Sequence, residues 1–190
     1  LNDQIKAVAA DYAKQGYVAL AIDLYDGKVA KMGDAGSAMN YMRAMLSNPK
    51  AGFETCAAWV DWLKQHDRST GKVGTVGWCF GGAWSLNASI ARPVDATVIY
   101  YGNVTRSVDQ LKQLKGPVMG HFGTQDQNIN KAMVDGFVEN MKKAGKADQL
   151  TVHWYDANHA FANPSGNRFN EAASKLAWQR TAEFLKKTLA

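Results

Sequence analysis

Only two cysteines, Cys56 and Cys79, occur in the 190 residues. That is too few for a disulfide framework. They form no C-x-x-C, and no pair of cysteines or histidines has zinc-ligand spacing, so no metal and no cofactor is expected. No apolar run is long enough to cross a bilayer, which speaks against a membrane role. The chain begins with Leu1 and has no basic-then-apolar leader; a cytoplasmic location is the expectation, with a removed start or a longer natural protein as the reading of that first residue. G-x-G-x-x-G is absent, and no lysine follows a glycine-rich turn as a Walker loop needs. Charge of one sign is not concentrated either. The net +5 comes from dispersed lysines and arginines, several at expected helix ends (Lys142, Lys143, Lys186, Lys187) where they complement the dipole. Nucleic acid is therefore not an expected partner.

What is present is enough apolar content, 46 %, to bury the core of one domain. Asn2 can cap a helix with Ile5, Val8, Ala9 and Tyr12 on one face, closed by Gly16. Tyr17–Ile22 reads as a strand covered on both faces, followed by a polar loop from Asp26 to Gly36. Helical segments are predicted over Ser37–Leu46 and Phe53–Gln65, with Asn48-Pro49 between them and Cys56 as inert core. Further strands are predicted at Lys72–Gly77, Ala96–Tyr100, Pro117–Phe122 and Leu150–Tyr155, with helices over Lys131–Lys143 and Glu171–Lys187. Helices alternating with short apolar strands argue for α/β architecture: a mostly parallel sheet with helices on both faces.

The chemistry starts at Gly77-Trp78-Cys79-Phe80-Gly81, a G-x-nucleophile-x-G turn with cysteine at the apex. A strand that reverses straight into a helix forces the apex into strained angles. Gly77 and Gly81 are expected to lack the Cβ atoms that would collide there. The helix start aims N–H groups at the sulfur and favours thiolate, the reactive form.

In parallel sheets, ligands bind beyond the carboxyl ends of strands. Asp126 and His159 follow strands and come after Cys79 in the order nucleophile, acid, histidine. Among the other histidines, His66 lies near a helix end, while His121 and His153 lie within strands, where a satisfied core histidine is the simpler reading. Asp23 precedes the nucleophile and suits a turn, Asp95 lies at the wrong edge, and Asp156 is too near His159. Cys79 would attack a carbonyl, His159 carry the proton, Asp126 orient the imidazole, and the Phe80 N–H meet the oxyanion.

Several segments carry a resemblance: Gln15-Gly16-Tyr17-Val18-Ala19, Asp23-Leu24-Tyr25, Gly71-Lys72-Val73-Gly74, Gly77 to Gly82, Tyr100-Tyr101-Gly102, Phe122 to Asp126, and His153-Trp154-Tyr155 through His159-Ala160-Phe161. The chain resembles the dienelactone hydrolase family, the cysteine branch of the α/β-hydrolases. The resemblance implies a Cys79–His159–Asp126 triad and a small lactone or ester substrate, cleaved through a thioester. Tyr25, Trp78, Tyr101, Phe161 and Asn163 are candidate pocket residues.

The chain also departs from the family. Two arginines that hold a substrate carboxylate in the family's best-known member are replaced, one by Asp26-Gly27 and one by Asn163; Lys28 and Arg168 are candidate substitutes. Residues 1–190 read as the C-terminal part of a single α/β-hydrolase domain. The family's N-terminal strands are absent; one of them would lie between Tyr17–Ile22 and Lys72–Gly77 in the middle of the sheet, and an absent loop would carry the second oxyanion donor and an activating glutamate. A monomer or homodimer is expected, with the missing N-terminal part supplied elsewhere. The alternatives are a non-catalytic small-molecule binder on the same scaffold and a thiol redox protein using Cys79.

Overall fold

The computed structural model describes residues 1–30 and 33–190. They form two compact units, Leu1–Gly71 and Lys72–Ala190.

In the first unit, α1 (Asp3–Lys14) starts at Asn2, whose side chain accepts the Ile5 N–H. It stops ahead of Gly16, which takes φ +94°. Helices α2 (Ala35–Ser47) and α3 (Pro49–Gln65) meet at Asn48, as the Asn-Pro break implies. Both start earlier than the apolar spacing predicts. Asp34 caps α2 through the Ser37 N–H, and Pro49 sits in the first turn of α3, where a missing N–H costs nothing. Cys56 is buried in α3. The predicted loop 26–36 includes Lys31 and Met32, which lie outside the described residues.

Residues 17–22 are a correction. They are half-buried but form no strand among the described residues. An apolar run becomes a strand only when its N–H and C=O groups find a ladder partner, and this run has none there.

The second unit holds β1 (Gly74–Trp78), α4 (Phe80–Ala91), β2 (Ala96–Tyr100), α5 (Val108–Leu111), β3 (Val118–Gly123), α6 (Lys131–Lys143), β4 (Leu150–Tyr155) and α7 (Glu171–Leu189). The four strands lie in the order β1-β2-β3-β4 with every neighbouring pair parallel. Every residue of β2 and β3 is buried, as expected for strands covered on both faces. On one face Ile99, Val118 and Phe122 pack with Leu86 of α4, Leu111 of α5, and Val134 and Phe137 of α6. The other face turns Tyr100 and His121 toward α7, where both reach the Thr181 hydroxyl. This is the parallel sheet with helices on both faces that the patterning predicts. It aligns the carboxyl ends of the strands along one rim.

Candidate active site

The rim begins with the turn between β1 and α4. Cys79 is the N-cap of α4 with φ +54° and ψ −119°, and no side chain caps the helix. A non-glycine residue there is strained, and neighbouring backbone bonds hold it. The Cys79 N–H donates to the Tyr100 carbonyl at 3.0 Å, while the Cys79 carbonyl accepts from Gly82 and Ala83. At Gly77, an added Cβ would lie 1.9 Å from the Gly81 carbonyl oxygen, so only glycine fits. Gly81 corrects the sequence expectation: a Cβ there meets nothing within 4 Å. The crowding falls instead on Gly77 and, within α4, on Gly82, whose Cβ would lie 2.8 Å from the Tyr100 carbonyl oxygen.

Asp126 follows the end of β3. Its Oδ1 accepts the N–H groups of Asn128 and Ile129 at 2.8 and 2.9 Å. Its Oδ2 lies 2.6 Å from His159 Nδ1. His159 rides on the loop after β4, with its N–H bound to the Asn158 side chain. The two loops run backbone to backbone, Thr124 N–H to Tyr155 carbonyl and Gln125 N–H to Ala157 carbonyl. Gly123 permits this approach, since a Cβ there would sit 2.3 Å from the Ala157 oxygen. The far ring nitrogen, His159 Nε2, lies 3.3 Å from Cys79 Sγ. Sulfur, imidazole and carboxylate thus form one line of contacts.

The electrostatics follow from that line. Burial pushes the Cys79 thiol up, but the His159 hydrogen bond and charge, with the Phe80 N–H, outweigh it, and the thiol lies below its ordinary value. His159 is raised, first by its bond to Cys79 and then, against burial, by Asp126. The two shifts favour the same thiolate–imidazolium pair. Such a pair can attack an electrophilic carbon and hand a proton to a leaving group.

The rival residues have other partners. His121 is fully buried and bonded at both nitrogens, to the Tyr155 hydroxyl at 2.8 Å and Thr181 Oγ1 at 3.0 Å. Arg180 donates to the same Tyr155 oxygen. Burial first, then His153 and Arg180, hold His121 down at about 3. Asp23 accepts from the Tyr25 and Gly27 N–H groups and makes a turn. Asp95 accepts from the Val73 N–H, and Asp156 from the Gln125 amide. Burial pushes the Cys56 thiol up to about 11. No cluster of three or more metal-ligating side chains occurs among the described residues. Nor is any helix among them long and apolar enough to cross a membrane.

The candidate pocket residues are differently disposed. Trp78, half-buried at the end of β1, packs on Tyr100 at 5.2 Å. Tyr101 and Phe161 are buried, at 2 % and 0 % exposure, so in this arrangement they support the site from beneath. Asn163 is half-buried, and its side chain accepts the Ser165 N–H. Tyr25 belongs to the first unit, where its ring lies 5.8 Å from Tyr41. Lys28 and Arg168 are exposed. Sequence reasoning missed Gly123 and the backbone contacts it allows. Its only signal was a glycine closing an apolar strand.

Comparison with known proteins returns one consistent result. Residues 1–189 match the dienelactone hydrolase family. A carboxymethylenebutenolidase of a Pseudomonas species is 30 % identical over 98 % of this chain and 80 % of its own length. The carboxymethylenebutenolidase of Pseudomonas putida is 29 % identical over 90 % of this chain and 74 % of its own. Among solved structures, a dienelactone hydrolase-like promiscuous phosphotriesterase from metagenomic libraries superimposes with a TM-score of 0.88. It is 21 % identical, over all of this chain and 82 % of that one. At that identity the likeness speaks for the fold alone.

Proposed function

We propose that this chain, which belongs to the dienelactone hydrolase family and is a lactone or carboxylic ester hydrolase, acts through Cys79, His159 and Asp126 by way of a thioester. The observation that carries the reading is the 3.3 Å approach of His159 Nε2 to Cys79 Sγ with Asp126 bonded behind it at 2.6 Å.

The Cys79 thiolate attacks the substrate carbonyl carbon, and the C=O electron pair moves onto oxygen. The Phe80 N–H, which in the resting site supports the sulfur, stabilises that oxyanion; one such donor is worth about 10²–10³ in rate. The intermediate collapses by breaking the C–O bond. The leaving alkoxide takes the proton from His159 Nε2, and a thioester remains on Cys79. With a lactone, the freed hydroxyl stays tethered to the acyl group. His159, now neutral, draws a proton from water as the water attacks the thioester, and the acid leaves with the thiolate restored. Asp126 keeps Nδ1 protonated throughout, so Nε2 is always the nitrogen that gains and loses the proton. Trp78 and Asn163 contact the acyl group, with Tyr101 and Phe161 as buried backing. Residues 1–190 act as parts of one α/β-hydrolase domain, a reading supported by a single family match across both units.

A p-nitrophenyl ester tests the proposal. We expect a burst of nitrophenol equal to the enzyme concentration, then slower turnover, with both absent in Cys79→Ala. Steady turnover by Cys79→Ala at the wild-type rate would overturn the reading.

A further inference from the structure

Resting on that reading of the site, we propose that Tyr101 is a positioning residue: its ring and hydroxyl hold the loop that presents His159 to Cys79. Tyr101 follows the last residue of β2 and takes φ +38°, a backbone conformation that residues with a Cβ seldom adopt. Outliers of this kind persist only where their surroundings over-determine them. Here they do. The Tyr101 N–H donates to the His121 carbonyl at 2.8 Å, which locks the backbone to β3. On the other side, the preceding carbonyl, that of Tyr100, accepts the Cys79 N–H. The residue therefore sits on the same short stretch of main chain that fixes the nucleophile.

Its side chain turns to the histidine loop. The ring meets His159 edge-on at 5.2 Å and Phe161 edge-on at 5.2 Å. The Ala162 N–H is directed at the Tyr101 hydroxyl. One side chain thus touches three of the four residues 159–162. Ala160, within the same stretch, is itself at φ +62°, so this loop is strained and needs a restraint. Phe161 continues the support, packing on Tyr155 at 5.0 Å, and Tyr155 is anchored to His121. Tyr101 is buried at 2 % exposure, which suits a support better than a surface for substrate.

The test uses Tyr101→Phe, which removes only the hydroxyl, and Tyr101→Leu, which removes the ring edge as well. Cys79 alkylation by iodoacetamide, followed against pH, reports the thiolate–imidazolium pair without any ester. We expect Tyr101→Phe to slow alkylation at neutral pH by about three- to tenfold, the scale of one hydrogen bond, and to move the acid limb of the profile upward. Tyr101→Leu should do more of both, and ester turnover should fall through kcat with KM little changed. If either variant melts at a lower temperature while its alkylation profile matches wild type, Tyr101 is only structural and the proposal falls. Should Tyr101→Leu fail to fold, the Tyr101→Phe profile decides alone. Wild-type protein that turns over no ester, beside a Tyr101→Phe profile that still shifts, would support the positioning role and overturn the hydrolase mechanism instead.

Discussion

Replacing Asp126 by asparagine should separate chemistry from stability. The carboxylate serves two sides at once: Oδ1 takes two backbone N–H groups, and Oδ2 takes His159 Nδ1. An amide has a single acceptor oxygen. If that oxygen stays on His159, the NH₂ group faces the Asn128 and Ile129 N–H donors, leaving one part-buried and one buried donor unpaired at about 1–3 kcal/mol each. The side chain therefore turns its oxygen to the backbone and its NH₂ to His159. Nδ1 must then accept, so Nε2 carries the hydrogen and points it at the sulfur, where it cannot take a proton. The preference for this wrong tautomer is about 2–6 kcal/mol. At 1.36 kcal/mol per decade it corresponds to a loss of roughly 30-fold to 10⁴-fold, in line with the about 10⁴ that the same change costs a serine triad. The fold keeps its loop bonds, so stability should change by about 1 kcal/mol or less. Burst kinetics with a p-nitrophenyl ester and thermal melts read the two effects. Activity within tenfold of wild type, beside a native melt, would refute the reasoning.

Other outcomes follow from the same contacts. The rate should describe a bell against pH, since the active form needs Cys79 deprotonated and His159 protonated. Its acid limb should fall below the ordinary thiol value of 9.0 and its alkaline limb above the ordinary imidazole value of 6.5, as the two shifts direct; a kcat/KM profile checks both limbs. Gly77→Ala should abolish the turn, because its Cβ would overlap the Gly81 backbone at 1.9 Å, while Gly81→Ala should fold and work; expression, melts and turnover distinguish them. His121 stays neutral down to about 3 when folded but takes a proton near 6.5 when unfolded. Stability should therefore fall with pH between those values, by about 2 kcal/mol from pH 6.5 to 4.5. His121→Phe should be less stable at neutral pH, yet its deficit should narrow in acid, as urea midpoints would record.

Much of the second unit was legible because local signals there agree with the tertiary result. Helix α6 and strand β4 coincide with the predicted bounds: Asn130 caps the helix, Gly145 follows it, and the strand is an apolar run between polar turns. Cys79, Asp126 and His159 stood out because each follows a strand, and a parallel sheet sends all such ends to one rim. The failures concern partners that no local pattern records. Tyr17–Ile22 has the composition of a strand, but composition does not supply a ladder. Gly81 lies beside the nucleophile, yet a Cβ would fit there, while it would clash at Gly77, at Gly82 and, two strands away, at Gly123. Helix α5 is a single turn set by the Ser107–Gln110 capping box and too short to show a period. The left-handed angle of Tyr101 arises from what binds it on three sides, so the sequence offers only a second tyrosine after a strand.

The most direct measurement is peptide mass mapping of protein quenched with acid during the burst from a p-nitrophenyl ester. One acyl group should be found on the peptide bearing Cys79, released by hydroxylamine as a thioester and missing from Cys79→Ala. A full burst with Cys79 unmodified, or with the acyl group on another residue, would contradict the mechanism at its first step.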